Sequence, residues 1–289
     1  GRVDAIEAAA NDAFALDDDA KIIWNGESVA TLVKGTERLR PLVQVFNDDL
    51  LDAPDRVRVE ARLRTWLTDH VDHVLAPLAK ALKADVPASV RGIVFQLSES
   101  LGAISRDAVD AQLKSLKDEE RKTLARLGIR FGVEYVFFPA LLKAAPIRLR
   151  GLLWIAAHRD APAPPLPTPG RVAMPLPEKI PAAFYLACGY RVIDGTGYRI
   201  DMLERFAAEA RRLGREKNPV LPPEILSLLG IDAAAGVGVL NGLGFKARLD
   251  DAKIAFSARK KRDRKHKTPV ISAPNADSPF AKLKDLALS

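Results

Sequence analysis

KIIWNGESVATLVKGTERLRPLVQVF (residues 21–46), followed by NDDLLDAPDRVRVEARLRTWLTDHVDHVLAPLAKALK (47–83), decides the fold class, because the hydrophobic period changes where the two stretches meet. In the first, Lys21-Ile22-Ile23-Trp24 runs into Asn25-Gly26, a pair that favours a two-residue hairpin turn. Ser28–Val33 and Leu42–Phe46 then read as further strands, so 21–47 is expected to be a small antiparallel unit. In the second, Val59, Leu63, Trp66, Leu67, Val71, Val74, Leu75, Leu78 and Leu82 recur at the three-and-four spacing of one helix face. That predicts a long helix from Pro54 to Lys83, kinked or restarted at Pro77, where the ring removes a backbone donor.

Outward from this junction the same alternation of helix and short strand continues. Residues 3–15 have helical composition and spacing and are broken by Asp17-Asp18-Asp19. Helices are expected near 88–104, 107–115 and 117–127, the last closed by Gly128, then a short hairpin over Ile129–Phe138 around Gly132 and a helix over Pro146–His158. The fold class is therefore mainly α with small antiparallel β-hairpin units (α+β). Residues 159–181 hold eight of the chain's twenty prolines, which donate to neither ladder, so the stretch reads as an extended linker between a helical domain (1–158) and a smaller α/β domain (182–257). The second domain is expected to contain a short helix at 182–188 and a hairpin over Tyr190–Ile200 turning at Asp194-Gly195-Thr196-Gly197. A helix capped by Asp201, helices near 222–229 and 232–241 and strands at 245–249 and 253–257 complete it. Helix, turn, helix and two strands is also the order of a winged helix-turn-helix. Residues 258–289 read as a basic, disordered tail, and no internal repeat of convincing period is evident.

The 289 residues, 48% hydrophobic and 28% charged, suffice for a sizeable core and exclude disorder throughout. The single cysteine, Cys188, excludes an intrachain disulfide and a thiolate zinc site. No stretch approaches the roughly 18 apolar residues of a membrane span, and the first residues lack a signal-peptide pattern, so a cytoplasmic protein is expected. The chain opens on Gly1 within amphipathic sequence, which reads as the later part of a longer protein. The net charge of +7 is concentrated. Residues 258–267 (ARKKRDRKHK) carry seven Lys or Arg against one Asp, leaving only +1 on all the rest. Attraction to phosphate should reside in that segment or in local patches.

The catalytic patterns are weak. No GxxxxGK[ST] phosphate loop is present. Gly236-Val237-Gly238-Val239-Leu240-Asn241-Gly242 imitates a dinucleotide-binding pattern but follows helical rather than strand-like sequence, so small-residue packing is the better reading. His70 and His73, beside Asp69 and Asp72, could share a helix face yet lack further ligands, and no metal site is expected; His158 and His266 have no nucleophile partner in sequence. Asp118-Glu119-Glu120 sit where a helix N-terminus favours acids. Two features suggest binding instead. Arg130, Tyr135 and Phe137, with Lys143, Arg148 and Arg150 nearby, form an aromatic-basic segment of the kind that stacks bases of a single strand. Arg259, Lys260, Lys261, Arg262, Arg264, Lys265 and Lys267 would release counterions from a polyanion without a shaped site, giving affinity but no sequence specificity.

Several long blocks, in order, resemble one family: GRVDAIEAAANDAFALDDDAKIIWNGESVATLVKG with LRPLVQVF, LGIRFGVEYVFFPALLKAAPIRLRGLLW, GYRVIDGTGYRIDMLERFA with PPEILSLLG, and the closing DSPFAKL. They are similar to the region C-terminal to the motor in bacterial relatives of the mitochondrial suppressor-of-var RNA helicase, a DExH-type enzyme of superfamily two. The resemblance covers most of 1–249 and the last dozen residues. It implies a parent protein with two RecA-like motor domains, bound ATP and Mg²⁺, 3′-to-5′ unwinding and, in mitochondrial members, an exoribonuclease partner. No motor motif lies in this chain, so no catalytic residue transfers and no cofactor is implied for the chain itself. The expectation is an accessory region that binds and guides single-stranded RNA or DNA beside the motor. A rival expectation is a scaffold that docks the motor and a partner such as an exoribonuclease, with the near-neutral body as the docking surface.

Overall fold

The computed structural model describes residues 1–46 and 52–258. The chain opens with α1 (Arg2–Ala8) and a 3-10 turn at Asn11–Ala13, then passes into β1 (Phe14–Leu16). The helix expected over 3–15 stops early because Phe14 and Leu16 are buried on either side of exposed Ala15, a two-residue period that pairs with the next strand. β2 (Lys21–Trp24), β3 (Glu27–Glu37) and β4 (Arg40–Val45) complete an antiparallel sheet in the order β1-β2-β3-β4. Asn25 and Gly26 both take left-handed φ, 49° and 81°, the pair of conformations a tight hairpin turn demands. Residues 47–51 lie outside the description. α2 (Ala53–Val74) begins with Asp52 accepting the Asp55 N–H at 2.8 Å and buries Val59, Leu63, Trp66, Leu67 and Val71. The helix breaks at Leu75 and restarts as α3 (Ala76–Lys83) with Pro77 in its first turn.

Next come α4 (Ala88–Glu99), β5 (Ala103–Ser105), α5 (Arg106–Ser115), α6 (Asp118–Arg126), β6 (Arg130–Phe131) and β7 (Tyr135–Phe137). The helix expected to reach 104 ends at Glu99, because Leu101 and Gly102 turn the chain through positive φ, 56° and 99°, into β5. α7 (Ala144–Ala157) precedes the Pro-rich stretch, in which β8 (Ala173–Pro175) forms. α8 (Ala182–Ala187), β9 (Tyr190–Ile193) and β10 (Thr196–Arg199) follow, the strands in the order β8-β10-β9. The described residues end with α9 (Ile200–Leu213), β11 (Val220–Leu221), α10 (Pro223–Ser227), α11 (Ala233–Gly242), β12 (Phe245–Asp250) and β13 (Lys253–Ala258). Asp201, read as the cap of α9, lies inside its first turn and pairs with Arg199 at 2.8 Å.

The protein is thus mixed α and β, with its strands in small antiparallel sheets. Two parts of it share a plan that the sequence period did not expose. Residues 88–137 and 200–258 both run helix, strand, helix, helix, strand, strand, and both place the last strand in the middle of the sheet: β5-β7-β6 and β11-β13-β12.

The Pro-rich stretch is fastened along its length. Tyr185 Oη donates to Pro165 O and Tyr190 Oη to Arg171 O, at 2.8 and 2.7 Å, and Leu166 packs over Gly151. The larger core therefore continues past residues 159–181 to Cys188 and Tyr190, and the second core starts at Ile193, so the change falls inside β9. A small apolar seam of Ala103, Tyr135, Phe137, Leu142 and Ile200 joins the two.

Candidate nucleic-acid interface

The six body residues singled out from sequence scatter. Arg130 and Lys143 are exposed, on β6 and at the N-terminus of α7. Arg148 is half-buried and spends its guanidinium on Leu16 O and the Asp18 carboxylate, at 3.0 and 2.8 Å. Tyr135 and Phe137 are corrected outright as base-stacking groups. They are 4% and 0% exposed, because β7 is the central strand of its sheet and its outer face is covered by Ile200 and Leu142. Arg150 is corrected likewise: it is 1% exposed and donates to four carbonyls, those of Leu101, Leu141, Cys188 and, one turn back, Pro146. Burial without a carboxylate partner pushes its guanidinium down to about 10. It holds the α4–β5 turn, the segment before α7 and the end of α8 together. The seven tail cations, Arg259 to Lys267, lie outside the described residues.

The hairpin β6–β7 of the first unit is held by the second. Glu204 on α9 accepts the backbone N–H groups of Val133, Glu134 and Tyr135 at 2.5, 2.8 and 2.6 Å. Burial pushes its carboxyl above the usual range, while the three amides pull the other way. Gly132 is needed for this approach, since a Cβ there would lie 2.3 Å from the Glu204 carboxyl carbon. Arg106 donates to Gly132 O at 2.6 Å, Arg211 pairs with Glu134, and Arg191 bridges the Tyr135 hydroxyl and Gly242 O. This hairpin is consumed by contacts within the chain.

The corresponding hairpin of the second unit, β12–β13, is open. Its register pairs Lys246 with Ser257, Arg248 with Ala255 and Asp250 with Lys253, while Val220 of β11 pairs with Ala255. Residues paired in this way share a face. Phe245, Ile254 and Phe256 are buried beneath, so Lys246, Arg248 and Lys253 point to solvent. This outer face borders an open groove of about 700 Å³ lined by Asn218, Val220, Lys246, Arg248 and Ser257. Sequence reading missed these cations, although FKARL at 245–249 alternates apolar and basic residues with the period of a one-faced strand.

α11 has a different role. Its sequence AAAGVGVLNG contains no cation, and its glycines admit neighbours on more than one side. A Cβ on Gly236 would meet Leu226 at 2.4 Å, one on Gly238 the Asp194 carboxylate at 2.4 Å and one on Gly242 Ile193 at 2.8 Å. The glycine pattern is packing, as its helical context implied, and α11 lies against β9 as well as its own unit.

His70, Asp72 and His158 are held in structural contacts. His70 stacks on Trp66 at 5.3 Å, and Asp72 takes both Arg40 and Lys83. Glu99, Ser100 and His158 line a cleft of about 260 Å³, but His158 stacks on Trp154 at 3.8 Å with Nδ1 on Trp154 O. Among the described residues no group of three or more His, Cys, Asp or Glu is placed to hold a metal ion, and no helix is long and apolar enough to cross a membrane. Compared with protein families, with curated proteins and with solved structures, the chain matches none.

Proposed function

We propose that this chain is a non-catalytic region of an ATP-dependent RNA helicase that binds single-stranded nucleic acid and guides it beside the motor, and that its two topologically alike units are of winged-helix type. The observation that carries the reading is the second unit. Its helices α9, α10 and α11 accompany a sheet ordered β11-β13-β12, an order that supports a winged helix-turn-helix reading. Its last strand ends at Ala258, so the seven-cation segment 259–267 follows immediately in sequence. Binding would be electrostatic, through counterion release, and therefore tolerant of sequence. The link to a helicase rests on the resemblance of the sequence blocks; ATP, Mg²⁺, RecA-like motor domains and an exoribonuclease belong to the proposed parent assembly.

The test is fluorescence anisotropy of a labelled single-stranded RNA across a salt series, comparing the full chain with a variant in which the seven tail Lys and Arg are Gln. For single strands the logarithm of affinity falls with the logarithm of salt at about −0.7 per phosphate neutralised, so seven engaged cations give a slope of roughly −5. The variant is expected to bind more weakly, with a shallower slope that does not reach zero. An unchanged slope would remove the tail from the interface. No binding by the unsubstituted chain at low salt would favour the scaffold reading, in which the near-neutral body docks the motor or an exonuclease.

A further inference from the structure

The two like units treat the outer faces of their sheets in opposite ways. In the first, Ala103, Tyr135 and Phe137 are apolar and buried against Leu142 and Ile200. In the second, the strand positions on the same side hold Val220, Ala255, Lys246, Arg248, Asp250 and Lys253, and all of these but Lys253 line the open groove. The Arg248 side chain is 79% exposed and pairs at 3.8 Å with Asp250, itself 61% exposed. Such a pair is weak in water and readily exchanged for a phosphate.

We infer that the outer face of the β11-β13-β12 sheet is the body's own nucleic-acid contact, with Lys246, Arg248 and Lys253 gripping the phosphodiester backbone of one strand. This rests on the reading of the chain as a nucleic-acid-binding region and names where and how it binds. Three observations select this occupant. The face is cationic, three Lys or Arg against Asp250, whereas its counterpart in the first unit is built to be covered by apolar side chains. Lys246 and Arg248 are two residues apart on one strand and so project in one direction, a spacing of about 6.6 Å that is commensurate with successive phosphates. The helix that would enter a duplex groove, α11, has no Lys or Arg and is packed against β9. A strand lying on the sheet face thus replaces helix insertion. The hairpin of the first unit cannot do the same, because Leu142 and Ile200 cover the face on which Tyr135 and Phe137 lie.

The test uses the full chain with Lys246→Gln, Arg248→Gln and Lys253→Gln together, titrated against labelled single-stranded RNA over a salt series. Three lost phosphate contacts at about 0.7 each should make the slope shallower by about 2, with affinity at low salt reduced about tenfold or more. A control chain with Lys80→Gln, Lys114→Gln and Lys122→Gln, exposed on other helices, should keep the native slope. Thermal melts of both variants should match the unsubstituted chain, since the substituted side chains are exposed. Should the triple variant melt early, Arg248→Gln alone serves, with an expected slope change of about 0.7. An unchanged slope in the sheet variant, or an equal fall in the control, overturns the inference while leaving the broader reading in place. A unsubstituted chain that binds no RNA overturns both, and tighter binding to duplex than to single strand overturns the assignment of a single strand.

Discussion

Arg150→Met tests the correction that most changes the sequence reading, the move of this cation from a candidate RNA contact to an internal clamp. Its guanidinium is 1% exposed and donates to Leu141 O at 2.7 Å, Cys188 O at 3.1 Å and Leu101 O at 3.2 Å, three carbonyls from three separate segments. Met fills similar space but donates nothing. Each buried carbonyl left unpaired costs about 1–3 kcal/mol, and release of a buried charge offsets part of the total, so a net loss of about 3 kcal/mol is expected. Urea unfolding followed by tryptophan fluorescence is the assay, with Trp154 one turn along the same helix as reporter. With a slope of about 3 kcal/mol per molar, the midpoint should fall by about 1 M. The difference from wild type should stay flat from about pH 6 to about pH 9. The folded-state value is depressed to about 10, so the unfolded chain binds more protons only above that, and relief of the buried charge appears only there. Arg150→Lys should restore less than half of the loss, since one ammonium cannot reach carbonyls arranged around a planar fork. A midpoint within about 0.2 M of wild type, or weaker RNA binding with unchanged stability, would refute the clamp.

The contact between Gly132 and Glu204 predicts a coupled pair. Glu204→Ala strips one buried and two part-buried amides of their acceptor and should cost about 2–4 kcal/mol, whereas Gly132→Ala alone should cost a comparable amount by expelling the carboxylate. The double variant should be no less stable than Glu204→Ala alone, and strict additivity in denaturant melts would disprove the contact. His70 predicts an acid-sensitive fold. Burial, with His73 and Arg148 nearby, holds its imidazole below the usual range, so the stability it supports is present above about pH 6.5 and lost as pH falls through the depressed folded value. His70→Phe, which keeps the stack on Trp66, should flatten that loss in melts taken at falling pH; an unchanged profile would show that His70 is not the group responsible.

Much of the local structure was legible because it depends on neighbours in sequence. The three-and-four spacing of Val59 to Val71 sets the face of α2, Pro77 the restart at α3, and Asn25-Gly26 and Asp194-Gly195 the two hairpin turns. The errors arose where a distant partner decided. Phe14–Leu16 has helical composition on its left and became a strand because β2 was there to pair with it. The aromatic segment at 135–137 looks alike in sequence whether it faces a base or a core, and Ile200, far along the chain, made it core.

By itself the sequence determined that helices mix with small antiparallel strand units, the order of most elements, the concentration of charge in 258–267 and the absence of a phosphate loop, since periodicity, turn chemistry and charge density are local properties. Only the tertiary structure decided which apolar faces are covered. Hydrophobic alternation states that a strand has two unlike faces but not what lies against either of them. That is why the like topology of 88–137 and 200–258, the enclosure of Arg150, the capture of one hairpin by Glu204 and the exposure of Lys246, Arg248 and Lys253 on the other emerge from long-range packing alone.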